Sequence, residues 1–336
     1  MNFFIPGGAG YIGVHISLML LENGHDVVIL DNFSNSSLTA IDSLEHLAGK
    51  KITLYKGSIC DETQLKEIFT QNSFDAVIHL AALKSVSESI LQPAEYFNNN
   101  CVGTSYLLAA MRSFEIKNLI YSSSATVYGI PQYLPIDEHH PLSAINPYAE
   151  TKLHIEQELS QIAQEEEGWN IVCLRYFNPV GAHPSALIGE LPIGIPANLV
   201  PFITQTVAGL RSKLKVYGND YNTPDGTAIR DYIHVVDLAK AHVRAIERML
   251  NHEQKKSYEY FNIGTGKGSS VLEVIQAFER INHTKVPYEV VDRRAGDIVK
   301  IYADTTRANH ELNWKAQLNL DDMMKSAWKW QKTLIS

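Results

Sequence analysis

The sequence predicts an α/β protein: a doubly wound parallel sheet followed by a smaller C-terminal α/β lobe. Three observations carry this expectation. Short apolar runs alternate with amphipathic stretches through the first half, a glycine-rich turn follows the first run, and after Arg175 the texture changes to short segments rich in Pro, Gly and Asn. Parallel strands covered by helices on both faces read as continuous apolar runs, as these do.

Taken in order, Phe3–Ile5, Val27–Leu30, Ile52–Tyr55, Ala76–Leu80, Leu119–Ser122 and Ile171–Leu174 read as buried strands. The helical stretches between them are clearest at Tyr11–Asn23, Thr63–Phe69, Pro93–Ser113 and Tyr148–Glu166, where apolar residues recur at helical spacing. Asp231–Met249 and Tyr260–Ile263 read as a return to the main sheet. The expected organisation is a dinucleotide-binding domain over 1–176, rejoined by 231–263. A smaller domain is expected over 177–230 and 264–336, the latter stretch carrying Trp328 and Trp330.

Composition narrows the class. With 336 residues, 45% of them hydrophobic and 20% charged, the chain has ample material for a core. A net charge of -8 argues against nucleic acid as the main partner, because phosphate binding favours a concentrated basic face. Cys60, Cys101 and Cys173 are odd in number and widely spaced, which suggests a reducing, cytoplasmic setting without disulfides. The opening Met-Asn-Phe-Phe-Ile lacks the basic start of a signal peptide, and no apolar run is long enough for a bilayer, so no membrane association is expected. The thirteen histidines form no ligand-spaced cluster, and no metal is expected.

The glycine loop Gly7-Gly-Ala-Gly10-Tyr11-Ile12-Gly13 sits between a strand and a helix. Glycine permits a tight turn and close backbone approach to a pyrophosphate, while the helix N-terminus supplies N–H donors and positive potential. Asp31, eighteen residues after Gly13, ends the next strand, where a carboxylate accepts from a ribose diol and repels a 2′-phosphate. NAD is therefore the expected cofactor, on a Rossmann-type domain.

Tyr148-Ala-Glu-Thr-Lys152 supplies the chemistry. A free tyrosine, with a pKa of about 10, is a poor base at neutral pH. A lysine four residues on shares its helix face and favours the phenolate by charge. This Tyr-x3-Lys occurs once in the chain and follows Asn146-Pro147, a helix start. Ser122-Ser-Ser124 ends the preceding strand, where ligand crevices open in such sheets, and Ser124 is placed to share the proton with Tyr148.

These residues resemble the UDP-glucose 4-epimerases, members of the extended short-chain dehydrogenase/reductases. The resemblance rests on the glycine loop, Ser122-Ser-Ser-Ala-Thr-Val-Tyr-Gly129, Tyr148-x3-Lys152, Arg175-Tyr-Phe-Asn-Pro-Val-Gly-Ala-His-Pro184 and Arg230-Asp-Tyr-Ile-His-Val235, and runs from residue 1 to about 330. It implies a tightly held NAD, a 4-keto sugar that turns over between two hydride transfers, and a homodimer paired through the two long helices. It implies Tyr148, Lys152 and Ser124 as catalytic residues. On the cofactor side it implies Tyr11, Ile12, Asp31, Asn32 and Asn35, then Ser58, Ile59, Leu80 and Ala81, and also Lys84, Asn99, Ser122 and Phe177. For the UDP-sugar it implies Asn178, Asn198, Leu199 and Tyr217, with Arg230, Arg294, Asp297 and Ile301.

Three positions depart from the family pattern. Pro6 replaces a threonine, and Ser58 replaces an aspartate facing the adenine. Ile301 stands where hexose-restricted members carry tyrosine, leaving room for an N-acetylated sugar. Two other readings remain open. A 4,6-dehydratase would need an acid and a base just after the strand end, where this chain has Ser124-Ala125. A non-catalytic NAD-binding regulator would tend to lose the Tyr-Lys pair.

Overall fold

The computed structural model describes residues 1–294 and 296–335. In chain order the first elements are β1 (Asn2–Pro6), α1 (Tyr11–Glu22), β2 (Asp26–Asp31), α2 (Leu38–Ala48), β3 (Thr53–Lys56), α3 (Glu62–Gln71) and β4 (Ala76–His79). Next come α4 (Val86–Leu91), α5 (Pro93–Phe97), a π-helical stretch Asn98–Val102, α6 (Gly103–Ser113), β5 (Asn118–Ser124), a 3₁₀ turn Ala125–Tyr128, α7 (Pro147–Glu165) and β6 (Asn170–Tyr176). The remainder comprises β7 (Asn178–Val180), α8 (Leu199–Val207), β8 (Leu214–Tyr217), β9 (Ile229–His234), α9 (Val235–Leu250), β10 (Tyr258–Ile263) and β11 (Gly268–Ser270). It closes with α10 (Val271–Asn282), β12 (Tyr288–Val291), β13 (Lys300–Ile301), α11 (Thr306–Glu311) and α12 (Leu320–Thr333).

Seven strands form one sheet in the order β10-β6-β5-β4-β1-β2-β3. β1 runs parallel to both β2 and β4, β2 to β3, and β4 to β5. The order reverses between β1 and β4, the switch point at which such sheets bind ligands beyond their carboxyl ends. Phe4, Val28, Leu30, Val77, Leu119, Tyr121, Ile171 and Cys173 make one apolar face with Leu65 and Phe69 of α3, Leu107 and Met111 of α6, and Ile155 and Leu159 of α7. Phe3, Ile5, Ile29, Ala76 and Ile78 alternate with them and are equally buried, so the strands are covered on both sides.

The chain forms two compact units. One comprises Met1–Gly129, Pro141–Arg175 and Ala239–Phe261, the other Ile130–His140, Tyr176–Leu238 and Asn262–Ser336. The second unit has its own core, in which Val216, Tyr232, Ile203, Ile275, Phe278 and Met324 pack together. Its larger sheet is centred on β9, which pairs antiparallel with β11 and parallel with both β7 and β13, while β8 and β12 pair separately.

Two elements differ from the sequence expectation. β9 does not return to the main sheet. The buried Asp231 carboxylate accepts from the Thr265, Gly266 and Ala303 amides, tying that strand into the second sheet. The helix expected over Pro93–Ser113 is interrupted by the π-helical stretch. Among the described residues no helix is long and apolar enough to cross a membrane.

Candidate active site

The glycine loop is folded by its own amides: Gly7 N–H donates to the Leu30 carbonyl at 2.8 Å and Gly8 N–H to Ile5 at 3.1 Å. Gly7 has φ +80°, and a Cβ there would lie 2.5 Å from the Ala81 nitrogen, so the loop is pressed against the end of β4 at Leu80 and Ala81. A Cβ on Gly13 would meet the Gly8 backbone at 2.7 Å. Gly10 is different. It is the N-cap of α1 with an extended backbone (φ −70°), no side chain caps the helix there, and a Cβ would meet only the Gly7 oxygen, at 3.3 Å. Two glycines therefore serve packing, and the third leaves a helix N-terminus open to an anion.

Asp31, at the end of β2, is buried and held from three sides. Its Oδ2 accepts from Ala9 N–H at 3.0 Å, and its Oδ1 from Phe33 N–H at 2.9 Å and Ser36 Oγ at 2.7 Å. A carboxylate offers about four acceptor sites, so this one is fixed with capacity left for a ribose hydroxyl. The open helix terminus, the space at Gly10 and the oriented carboxylate together fit a dinucleotide.

The other positions expected to line the cofactor are less uniform. Tyr11 and Ile12 open α1, Asn32 turns the chain by accepting from Ser34 N–H, and Asn35 and Lys84 are exposed. Ser58 Oγ accepts from Cys60 N–H at 3.1 Å, which uses part of its acceptor capacity in the turn before α3. Ile59 is a core residue whose side chain fills the space beside Gly103, so it offers a ligand its main chain at most. Phe177 is buried in the second unit.

Asn100 was not foreseen. It accepts from Leu83 N–H at 2.8 Å, donates to the Leu83 carbonyl and to Thr151 Oγ1, each at 3.0 Å, and accepts from Asn99 Nδ2 at 3.0 Å. It lies in the π-helical stretch, and such bulges frequently mark functional sites. The only sequence signal was the polar run Asn98-Asn-Asn100 inside a helical segment.

The residues expected to handle the proton lie at the end of β5 and the start of α7. Asn146 caps α7 by accepting from Ala149 N–H at 2.9 Å, and Pro147 occupies the first turn. Ser124 caps the 3₁₀ turn, accepting from Thr126 N–H at 3.2 Å and from Thr126 Oγ1 at 3.0 Å, and it hydrogen-bonds the Tyr148 phenol. Burial pushes that phenol up to about 12, and the Ser124 bond acts against the rise.

Lys152 is buried, donates to the Ser122 carbonyl at 2.6 Å and stands 4.8 Å above the centre of the Tyr121 ring. Burial pulls its ammonium down to about 8, against the Cys101, Cys173 and Glu156 side chains, which act upward. The hydrogen bond of Lys152 is thus to the main chain of β5, one residue from Ser123 and two from Ser124.

In the second unit, Arg230 of β9 pairs with Asp297 at 2.5 Å, and Asp297 also accepts from Tyr221 Oη at 3.3 Å. The Arg294 guanidinium lies 4.6 Å over the Tyr217 ring, and Ile301 is buried opposite Arg230 in the parallel β9–β13 register. Asn178 starts β7. Asn198 precedes α8, which Leu199 opens, and donates to Glu190 at 2.7 Å. Tyr221 and the Arg293–Asp220 pair beside it, with Arg293 4.3 Å over the Tyr221 ring, were not foreseen. Among the described residues no group of three or more His, Cys, Asp or Glu side chains could hold a metal.

Comparison with known proteins decides between the nucleotide-sugar enzymes that share this arrangement. Residues 4–327 match the family described as GDP-mannose 4,6 dehydratase. A UDP-glucose 4-epimerase of Dictyostelium discoideum is 51% identical over 98% of this chain and 95% of its own length. The chain belongs to the UDP-glucose 4-epimerase family. The solved epimerase of Stenotrophomonas maltophila, with bound NAD and formylated UDP-arabinopyranose, has a TM-score of 0.97 and 45% identity, covering 100% of this chain and 99% of that one. The epimerase of Bifidobacterium longum, in complex with NAD+ and UDP, has a TM-score of 0.95 and 47% identity, covering 99% and 98%. At the β5 end this chain has Ser124-Ala125, neither of which carries a carboxylate.

Proposed function

We propose that the protein interconverts UDP-glucose and UDP-galactose, using an NAD held through the whole cycle. The observation that carries this reading is the Ser124–Tyr148 hydrogen bond beside the Lys152–Ser122 contact, at the strand end of a dinucleotide-binding sheet. Bound there, NAD supplies a nicotinamide that accepts a hydride from the sugar carbon and gives it back.

The chain's own residues do the rest. The α1 N-terminus at Gly10 and the Asp31 carboxylate hold the cofactor's diphosphate and ribose. Tyr148 takes the proton of the sugar 4-hydroxyl through or beside Ser124 and later returns it to that same oxygen, after the 4-keto ring has turned its other face to the hydride. With its phenol near 12, Tyr148 keeps its proton at neutral pH until positive charge stands close by, and Lys152 is the protein's source of that charge. Arg230 and Arg294 suit the UDP diphosphate, because planar guanidinium forks bind oxygens in pairs. Anchoring the nucleotide leaves the sugar free to turn over, so affinity belongs on the UDP part.

Three finer readings go with this one. Ile301 is shorter than tyrosine and lacks its hydroxyl, so UDP-N-acetylglucosamine is an additional substrate. The protein is a homodimer paired through α7 and the α5–α6 stretch. Ile90, Leu91 and Phe97 expose apolar surface on or beside that stretch, and the Phe97 ring lies 5.7 Å from His154 of α7. It works in galactose metabolism in the cytoplasm, in keeping with three free cysteines.

Incubation of purified protein with each UDP-hexose and its N-acetylated form, without added NAD, tests the substrate reading. The expected products are the C4 epimers of all four, with Ile301→Tyr suppressing only the N-acetylated pair. Absence of UDP-galactose from UDP-glucose would overturn the main proposal, and inertness of both N-acetylated sugars would overturn the Ile301 argument alone.

A further inference from the structure

Arg175 and Glu156 form an ion pair that the proton transfer itself does not use. Both residues are 2% exposed, and the contact is bidentate: Nε to Oε1 at 3.0 Å and Nη2 to Oε2 at 2.5 Å. A pair taken fully out of water adds little net stability, because lost hydration offsets the mutual attraction. What this pair does add is position. Ser123 Oγ donates to the same Glu156 carboxylate, and Arg175 Nη1 donates to Tyr128 Oη at 2.9 Å. The guanidinium also faces the Tyr128 and Tyr260 rings at 5.0 and 4.4 Å.

Each of these partners adjoins a reacting group. Ser123 lies between Ser122, whose carbonyl holds Lys152, and Ser124, which holds Tyr148. Tyr128 closes the turn that Ser124 caps. Glu156 follows Lys152 by one helical turn and Tyr148 by two, on one face of α7. One ion pair thus joins the helix, the strand end and the turn that carry Tyr148, Lys152 and Ser124.

The surroundings of Lys152 add an electrostatic part. His79 of β4, Tyr121 of β5, Cys173 of β6 and Cys101 of the π-helical stretch gather near it, with Glu156 on its own helix. Burial keeps His79 neutral, at about 3, and holds both thiols and the Tyr121 phenol protonated. Of the groups that favour the charged Lys152, Glu156 acts least, and its charge is paired with Arg175, so its part is to hold position.

We propose that Glu156, gripped by Arg175, is a positioning residue for the Tyr148–Lys152 face of α7. The inference rests on Tyr148 and Lys152 being the proton-handling pair. Its test replaces both partners, Glu156→Met with Arg175→Met, so that no buried charge is orphaned, alongside Glu156→Gln alone. The readouts are Tm, bound NAD, kcat and KM.

The double variant is expected to fold with near-normal Tm, to keep NAD and KM, and to lose about 10- to 100-fold in kcat, the scale of a small misplacement at a reacting group. A folded double variant with kcat within twofold of the parent would overturn the proposal. If the double variant does not fold, a folded Glu156→Gln protein with the parent's kcat overturns it equally. Tyr148→Phe separates the two readings: high activity there strikes the proton-handling assignment, while the fall in kcat at unchanged KM in the double variant judges the ion pair.

Discussion

Tyr148 and Lys152 are tuned in opposite senses by the same burial, and the consequences divide between activity and stability. Tyr148→Phe is expected to lower kcat by about 10²- to 10⁴-fold, the range of a general acid–base group, while NAD stays bound. A folded Tyr148→Phe protein with normal turnover would remove the base from this account. Lys152 has a folded-state value near 8, below the ordinary 10.5. Its buried charge therefore costs stability below about pH 8, and that cost is relieved as pH rises from 8 toward 10.5. Activity runs the other way, with kcat falling above about pH 8 as the ammonium is lost. Lys152→Met is accordingly expected to abolish most turnover yet to be more stable at pH 7, by up to about 3 kcal/mol in urea denaturation. Equal or lower stability would show that the Ser122 hydrogen bond outweighs the burial. The Tyr-Lys pair was legible in the sequence because helical spacing alone puts both on one face. The Ser122 carbonyl and the ion pair behind it were not, because which acceptor a buried lysine or glutamate finds depends on how β5 and β6 pack.

The glycine loop shows how one motif serves two purposes. Gly10→Ala meets a compatible backbone and only one atom at 3.3 Å, so it is expected to fold with stability within about 1 kcal/mol of the parent while purifying with little NAD. Gly13→Ala drives a Cβ to 2.7 Å from the Gly8 backbone and is expected to lose both stability and cofactor. Thermal melts with quantification of the nucleotide released on denaturation check both variants, and a Gly10→Ala protein retaining full NAD would contradict the assigned role. The π-helical stretch offers a similar test. Asn100→Ala strips hydrogen bonds from Leu83 and Thr151 and is expected to cost about 1–3 kcal/mol. The long helices, the loop and six strands could be read from apolar periodicity. The π-helical interruption could not, since the sequence continues with helix-compatible residues on both sides. α2 also escaped reading, because Ile41 and Leu44 are its only fully buried residues and leave a weak apolar stripe.

At the level of the whole molecule, the alternation of apolar runs and helices was enough to indicate a parallel sheet covered by helices on both faces, with the cofactor at the end of β1, while the strand order is set by packing that the pattern does not encode. The second unit was harder. Its strands are short, and nothing in Asp231-Tyr-Ile-His234 marks which sheet it joins until the Asp231 carboxylate meets the Thr265–Gly266 and Ala303 amides. Light scattering at micromolar concentration is expected to give twice the 37.6 kDa chain mass, and a monomer there would contradict the homodimer. In the proposed reaction C4 of the sugar is inverted by removing and returning its own hydride on a cofactor that stays bound. The most direct measurement supplies UDP-glucose deuterated at C4 of the hexose, in ordinary water and without added NAD, and examines the product by NMR and mass spectrometry. The expected product is UDP-galactose with the deuterium still on C4 and no stoichiometric accumulation of reduced cofactor. Exchange of that deuterium with solvent, or release of a 4-keto-6-deoxy sugar, would contradict it.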